Sequence, residues 1–285
     1  CLGASSLLIV GCGDLGQRVA GVLGKNNWLI TGVRRAPCAV GTDFPYQAAD
    51  YSIPGSLDFA ESLRPDFVLA TFTPSTPDIE GYRRGFTEAA KNVLAGLGEH
   101  RVRRLIMVSS TRVYAEEAGG RVDEAGELSA QDERSLAIID AERQLLDSDQ
   151  RVTIVRLAGI YGGQAGRLIS RVARGQIAAA QPVRYTNRIH RDDGAGFLAH
   201  LFMLSSNNQP LSAVYNGVDD QPTPAHDVQA WLALEMGVEI SADSGHVQEA
   251  ATLGKQCSNA LLHSTGYELH YPDYRAGYRQ VLGTA

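Results

Sequence analysis

Along the first two-thirds of the chain, short unbroken apolar runs alternate with stretches in which apolar residues recur every three or four positions. The runs are Leu7-Leu8-Ile9-Val10, Trp28-Leu29-Ile30-Thr31, Phe67-Val68-Leu69-Ala70, Leu105-Ile106-Met107-Val108 and Val152-Thr153-Ile154-Val155. None has the polar–apolar alternation of a half-exposed strand, so each reads as a strand covered on both faces. Between them Leu15, Val19, Val22 and Leu23 fall at helical spacing. Leu136, Ile139, Arg143 and Leu146 form a second row, with Leu145 beside it. This alternation predicts an α/β fold with a doubly wound parallel sheet.

After Leu157 the pattern loosens. Gly159, Gly162, Gly163 and Gly166 crowd one stretch, and Pro222, Pro224 and Pro272 punctuate the rest. Helices are expected around Asp227–Met236 and Asn259–His263. The expected division is a nucleotide domain over 1–157, with the chain returning to it near 187–217. Segments 158–186 and 218–285 then form a smaller C-terminal substrate lobe over the carboxyl ends of the strands, where open α/β sheets hold ligands.

Gly11-Cys12-Gly13-Asp14-Leu15-Gly16 follows the first strand and opens the first helix. In a Rossmann-type sheet the first glycine makes the turn, the second lets a pyrophosphate approach the backbone, and the third lets helix and strand pack closely. The helix N-terminus adds unpaired N–H groups and a positive dipole end. An NAD site usually places an acid about 20 residues further on to hold the ribose 2′-hydroxyl. No Asp or Glu lies between Lys25 and Thr42, and Arg34 and Arg35 stand there instead. A guanidinium suits a 2′-phosphate, so the expected cofactor is NADP rather than NAD. The missing acid also argues against a methyl donor, whose ribose needs the same carboxylate.

Composition narrows the classes further. A net charge of −6 leaves no concentrated basic surface for nucleic acid or an anionic membrane. Cys1, Cys12, Cys38 and Cys257 show neither Cys-x-x-Cys nor zinc spacing, so no metal site is expected and a reducing cytoplasmic setting fits. The apolar start, Cys1 to Val10, is too short to span a bilayer.

The order of several further segments resembles the extended short-chain dehydrogenase/reductases, the NAD(P)-dependent epimerases and dehydratases. Ala49-Asp50 is similar to the family's acidic residue that contacts adenine. Val108-Ser109-Ser110-Thr111-Arg112-Val113-Tyr114 resembles its Ser-Ser-x-x-Val-Tyr strand end, which places Ser109 at the cofactor. Arg156 to Gly162 resembles its Arg-x-x-x-x-Tyr-Gly segment, Asn187 to Asp193 its His-Val-x-Asp segment, and Tyr215-Asn216-Gly217 its Tyr-Asn-Val stretch. The resemblance implies a polar, sugar-like or sugar-nucleotide substrate held near Tyr161, Asn187 and Arg188. It also implies a homodimer formed through two helices.

One departure bears on chemistry. The family's acid/base pair is Tyr-x-x-x-Lys on a helix just before Ala-Glu, one face presenting both groups. Ala141-Glu142 sets the register here and puts Arg134 and Ile138 at those places. No lysine lies between Lys91 and Lys255 and no tyrosine between Tyr114 and Tyr161. Three residues remain as candidates for catalysis. Ser110 can polarise a substrate carbonyl or simply cap the strand. Tyr114 can contact substrate or pack on the sheet edge. His190 titrates near neutrality, and Asp192 or Asp193 can orient it, either for proton transfer or as a structural pairing. Two functions fit: an NADP-dependent oxidoreductase, epimerase or dehydratase with a non-standard acid/base, or an NADP(H)-binding sensor without turnover.

Overall fold

The computed structural model describes residues 4–36, 43–163, 166–240 and 251–283. The chain divides into two compact units. The first comprises 1–113, 128–156 and 194–215, and the second 114–127, 157–193 and 216–285.

The first five strands are β1 (Ser6–Val10), β2 (Leu29–Arg34), β3 (Tyr46–Ala48), β4 (Phe67–Ala70) and β5 (Arg104–Ser110). The chain continues through β6 (Ala118–Val122), β7 (Val152–Leu157), β8 (Gly159–Tyr161), β9 (Arg184–Thr186), β10 (Arg188–His190) and β11 (Val214–Gly217). Two more, β12 (Thr223–Pro224) and β13 (Leu253–Cys257), complete the described set. Seven of these form one sheet in the order β11-β7-β5-β4-β1-β2-β3. Pairing is parallel where β1 meets β2 and β4, where β2 meets β3, and where β4 meets β5. The strand order reverses between β1 and β4, which makes their carboxyl ends the switch point where ligands of such sheets sit.

Each expected apolar run is a strand of this sheet. Leu7–Val10, Phe67–Ala70 and Leu105–Met107 are fully buried, and the core joins them to Val93, Leu97, Ile138, Ile139 and Leu145 from the covering helices. The first helix, Asp14–Gly24, buries Gly16, Val19, Ala20 and Leu23. Helix Glu133–Leu146 departs from the expected row. Leu136 and Leu146 are exposed, and the buried face carries Ser135, Ile138, Ile139, Glu142 and Leu145. That face includes Glu142, which is buried and paired with Ser109 and Arg156.

The second unit holds a four-stranded sheet in the order β12-β9-β13-β6 and the parallel pair β10-β8. Its apolar cluster is built on Val172, Val228, Leu232, Tyr274 and Tyr278. Helices Ala225–Glu235 and Ala260–Ser264 lie where the sequence places them. Among the described residues no helix is long and apolar enough to cross a membrane, and no cluster of His, Cys, Asp or Glu is arranged to hold a metal.

Candidate functional site

At the end of β1 the turn is fixed from both sides. Gly11 N and Cys12 N both donate to the Val33 carbonyl, at 3.2 and 2.9 Å, tying the turn to β2. Thr71 N donates to the Val10 carbonyl at 2.9 Å and Thr71 Oγ1 donates to the Gly11 carbonyl, tying it to β4. Gly11 has φ +87°, and a Cβ there would stand 2.6 Å from the Thr71 carbonyl oxygen. A Cβ on Gly16 would stand 2.9 Å from Ile9 Cγ2. Both glycines are therefore demanded by the protein's own packing.

Gly13 differs. Its backbone is extended, and a Cβ there would meet nothing nearer than the Gly11 carbonyl oxygen at 3.9 Å. Neither strain nor packing requires glycine at this position. The remaining reason is close approach of a ligand to the backbone. Gly13 also precedes helix Asp14–Gly24 with no side chain capping it, so the helix N-terminus is available to an anion. The Asp14 carboxylate is turned to Arg18, 3.0 Å away, and Leu15 continues the first turn. These residues fit a dinucleotide diphosphate.

Arg34 ends β2 half-buried, and Arg35 beside it is exposed. The Arg34 carbonyl accepts from Ala49 N at 3.0 Å, which brings Asp50 to the same edge. Asp50 Oδ1 accepts from Ser52 N and Oγ, at 2.9 and 2.6 Å. The Cys12 thiol lies buried 3.6 Å from the Tyr46 hydroxyl, and burial pushes it up from its ordinary value. Cys38 lies outside the described residues.

Ser109 and Ser110 end β5 with opposite fates. Buried Ser109 donates through Oγ to Glu142 Oε1, and Arg156 donates to both oxygens of that carboxylate, at 3.0 and 2.6 Å. Ser110 is half-buried, and its Oγ accepts from Arg112 N at 3.1 Å. An accepting hydroxyl keeps its own proton to donate. Arg134 is exposed, its guanidinium 5.7 Å from the Tyr82 ring, and Ile138 is buried.

In the second unit Tyr114 is buried, and its hydroxyl donates to Asn216 Oδ1 at 2.7 Å. Lys255 Nζ donates to the Tyr114 carbonyl at 2.8 Å. His190 is also buried. Its Nδ1 accepts from Asp192 N at 3.2 Å, its ring lies 3.9 Å from that of Tyr271, and burial lowers its pKa while Asp192 opposes. Asp193 does not reach His190 through a hydrogen bond. It accepts from the backbone of His270 and Tyr271, both at 2.8 Å.

A cavity of roughly 500 Å³ opens in this unit. Tyr161, Asn187 and Arg188 line it together, with Arg167, Gln229 and Tyr278, which sequence reading did not single out. Ile160, Leu168, Ile169 and Val228 supply an apolar wall. The Asn187 amide is engaged with backbone: Nδ2 donates to the Lys255 carbonyl and Oδ1 accepts from Cys257 N, both at 2.9 Å. Tyr161 packs against Tyr278 with centroids 4.5 Å apart and the rings tilted by 32°, and burial raises its phenol. Among the described residues no Asp or Glu lines the cavity. Behind Arg188 lies Asp219, 2 % exposed, whose carboxyl burial pushes up to about 7. The sequence signal for it was slight, an acid pair one residue after the Tyr-Asn-Gly stretch.

The family model for NAD(P)H-binding proteins matches residues 13–203. A protein from Methylobacillus flagellatus, provisionally named an NAD-dependent epimerase/dehydratase, is 34% identical over 99% of this chain and 98% of its own, with a TM-score of 0.85. The chain belongs to the NAD(P)-dependent epimerase/dehydratase family. It is 25% identical to Protein YeeZ of Escherichia coli K12, over 93% of this chain and 96% of that one. A fold-level neighbour, MoeE5 in complex with UDP-glucose and NAD, is 18% identical, with a TM-score of 0.73 over 98% of both chains. This epimerase/dehydratase-type chain is thus an NAD(P)-binding α/β protein whose glycine turn lies at the switch point of its sheet.

Proposed function

We propose that this chain is an NADP(H)-dependent oxidoreductase, epimerase or dehydratase acting on a polar, sugar-like substrate. The observation that carries the cofactor choice is Arg34, half-buried at the end of β2, with Asp50 at the same edge. The amides of Gly11 to Gly16 hold the diphosphate, and Arg34 with Arg35 holds the 2′-phosphate through paired N–H donors. A nicotinamide dinucleotide held there would exchange a hydride with the substrate. Ser110 donates a hydrogen bond from its hydroxyl to polarise the substrate oxygen, supported by its half-exposed place at the strand end, while a non-standard acid/base supplies the proton. Tyr161, Asn187 and Arg188 wall the substrate cavity, and MoeE5 with its UDP-glucose supports a sugar-nucleotide class.

A second reading, an NADP(H)-binding regulator without turnover, has its own support. Tyr114 and His190 are buried and engaged, and helix Glu133–Leu146 carries neither tyrosine nor lysine. Stopped-flow loss of NADPH absorbance over a panel of carbonyl and sugar-nucleotide substrates separates the two. Oxidation by one of them supports the enzyme, and Ser110→Ala then lowers kcat by about 10²-fold. Tight NADPH binding with no oxidation, and no epimerised or dehydrated product from the same sugar nucleotides with NADP+, supports the regulator. Arg34→Ala with Arg35→Ala is expected to weaken NADP binding about tenfold or more and leave NAD binding unchanged. Equal weakening of both would remove the 2′-phosphate assignment.

A further inference from the structure

Among the described residues two buried arginine–carboxylate pairs stand out, built differently. Arg156 and Glu142 form the tight one, with two N–H···O bonds. Arg188 and Asp219 form a slack one. The shortest approach, from Nη1 to Oδ2, is 4.0 Å, although both side chains are almost fully buried. Arg188 donates instead to neutral oxygens: the Gln221 carbonyl at 3.4 Å, the Thr186 carbonyl at 3.3 Å and Thr186 Oγ1 at 2.5 Å. Asp219 Oδ1 accepts from Gln221 N at 3.1 Å, while Oδ2 is sealed from solvent and has no hydrogen-bond partner. A buried carboxylate oxygen left without a donor is costly and needs a reason.

The reason lies on the other side of the guanidinium. Arg188 lines the cavity, as does Arg167, which has no acid partner among the described residues. The wall thus offers positive charge and no negative charge, while the counter-ion stands behind it. We propose that Asp219 is the resident counter-ion of Arg188, and that the anionic group of a substrate entering the cavity takes the guanidinium from it while the displaced carboxylate takes up a proton. No covalent bond changes. One proton passes from solvent to Asp219 Oδ2. The ligand class is an oxyanion, a sugar acid or a phosphorylated sugar. This rests on reading the cavity as the substrate site.

The groups facing Asp219 favour the exchange. Arg188 is the cation that holds it ionised, while Asp220 and Asp273 add like charge, and the phenols of Tyr161 and Tyr278 stay protonated beside it. With its carboxyl near 7, Asp219 is neutral below that pH and leaves Arg188 uncompensated. Above it, the ionised acid competes with the ligand. Anion affinity therefore falls as pH rises through neutrality.

Isothermal titration in two buffers of different ionisation enthalpy counts the protons. The probes are sulfate, glucuronate and uridine diphosphate, which distinguish a bare oxyanion, a sugar acid and a nucleoside diphosphate. At about pH 8 the wild type is expected to take up close to one proton per bound probe, at about tenfold lower affinity than near pH 6. Asp219→Asn is expected to bind with no uptake, about tenfold tighter at the higher pH, with a flat profile. Arg188→Gln loses the site. Arg188→Lys keeps the charge, so weaker binding with uptake retained shows that the cation, not the fold, is at stake. Binding by the wild type without proton uptake, or an unchanged pH slope in Asp219→Asn, overturns the proposal. Failure to bind any probe also overturns it, and NADPH binding in the same sample then shows the cofactor assignment standing by itself.

Discussion

Three glycines lie within one turn, and each answers to a different constraint. Gly11 is held by its positive φ and the Thr71 carbonyl, Gly16 by Ile9, and Gly13 by neither. Gly13→Ala is therefore expected to keep the melting temperature within about 2 °C while weakening NADPH binding at least tenfold. Gly11→Ala places a side chain in a left-handed conformation against backbone, and is expected to cost about 2 kcal/mol in urea unfolding. If Gly13→Ala unfolds the protein instead, the turn is structural. A second expectation concerns pH. The Asp219 carboxyl is raised to about 7 in the folded state, well above an unfolded aspartate. Its stabilising contribution is full below about pH 4 and is lost as pH rises through 7. Stability of the wild type relative to Asp219→Asn should fall across that window by on the order of 3 kcal/mol. The glycine turn was legible because its signals sit within six residues. Asp219 was not, since its partner Arg188 lies 31 positions earlier and burial comes only with the tertiary fold.

Among elements, the helix Glu133–Leu146 shows where pattern reading fails. The spacing of Leu136, Ile139, Arg143 and Leu146 selected the inner row without regard to Glu142. The structure points Glu142 inward to Ser109 and Arg156, and the two leucines face water. The pair predicts a specific energetics. Arg156→Met alone strands a buried carboxylate and is expected to cost about 3–5 kcal/mol. Glu142→Leu combined with Arg156→Met is expected to recover most of that, measured by denaturant unfolding. The strands of the large sheet were legible because each is a continuous apolar run. Strands β6, β8, β9 and β12 were not, being two to five residues long and half-exposed.

For the whole molecule, the alternation of runs and helical spacing sufficed to expect a parallel, doubly wound sheet. Which strands neighbour which needed coordinates, because the order β2-β1-β4 is set by crossover and not by sequence adjacency. Cofactor binding at that switch point should be visible globally. NADPH at about 100 times its Kd is expected to add about 2.7 kcal/mol to the unfolding free energy, read as a rise of several degrees in a thermal scan. The rise should vanish in Gly13→Ala and persist in Asp219→Asn.

Each compact unit is woven from three separate stretches of chain, so the polypeptide leaves and re-enters both repeatedly. No single break in the gene yields either unit whole. A ribosome must release about three quarters of the chain before the sheet can acquire β11, its last strand. Fragment complementation would need cuts at several junctions at once, and neither unit is free to be shuffled as a cassette into another protein.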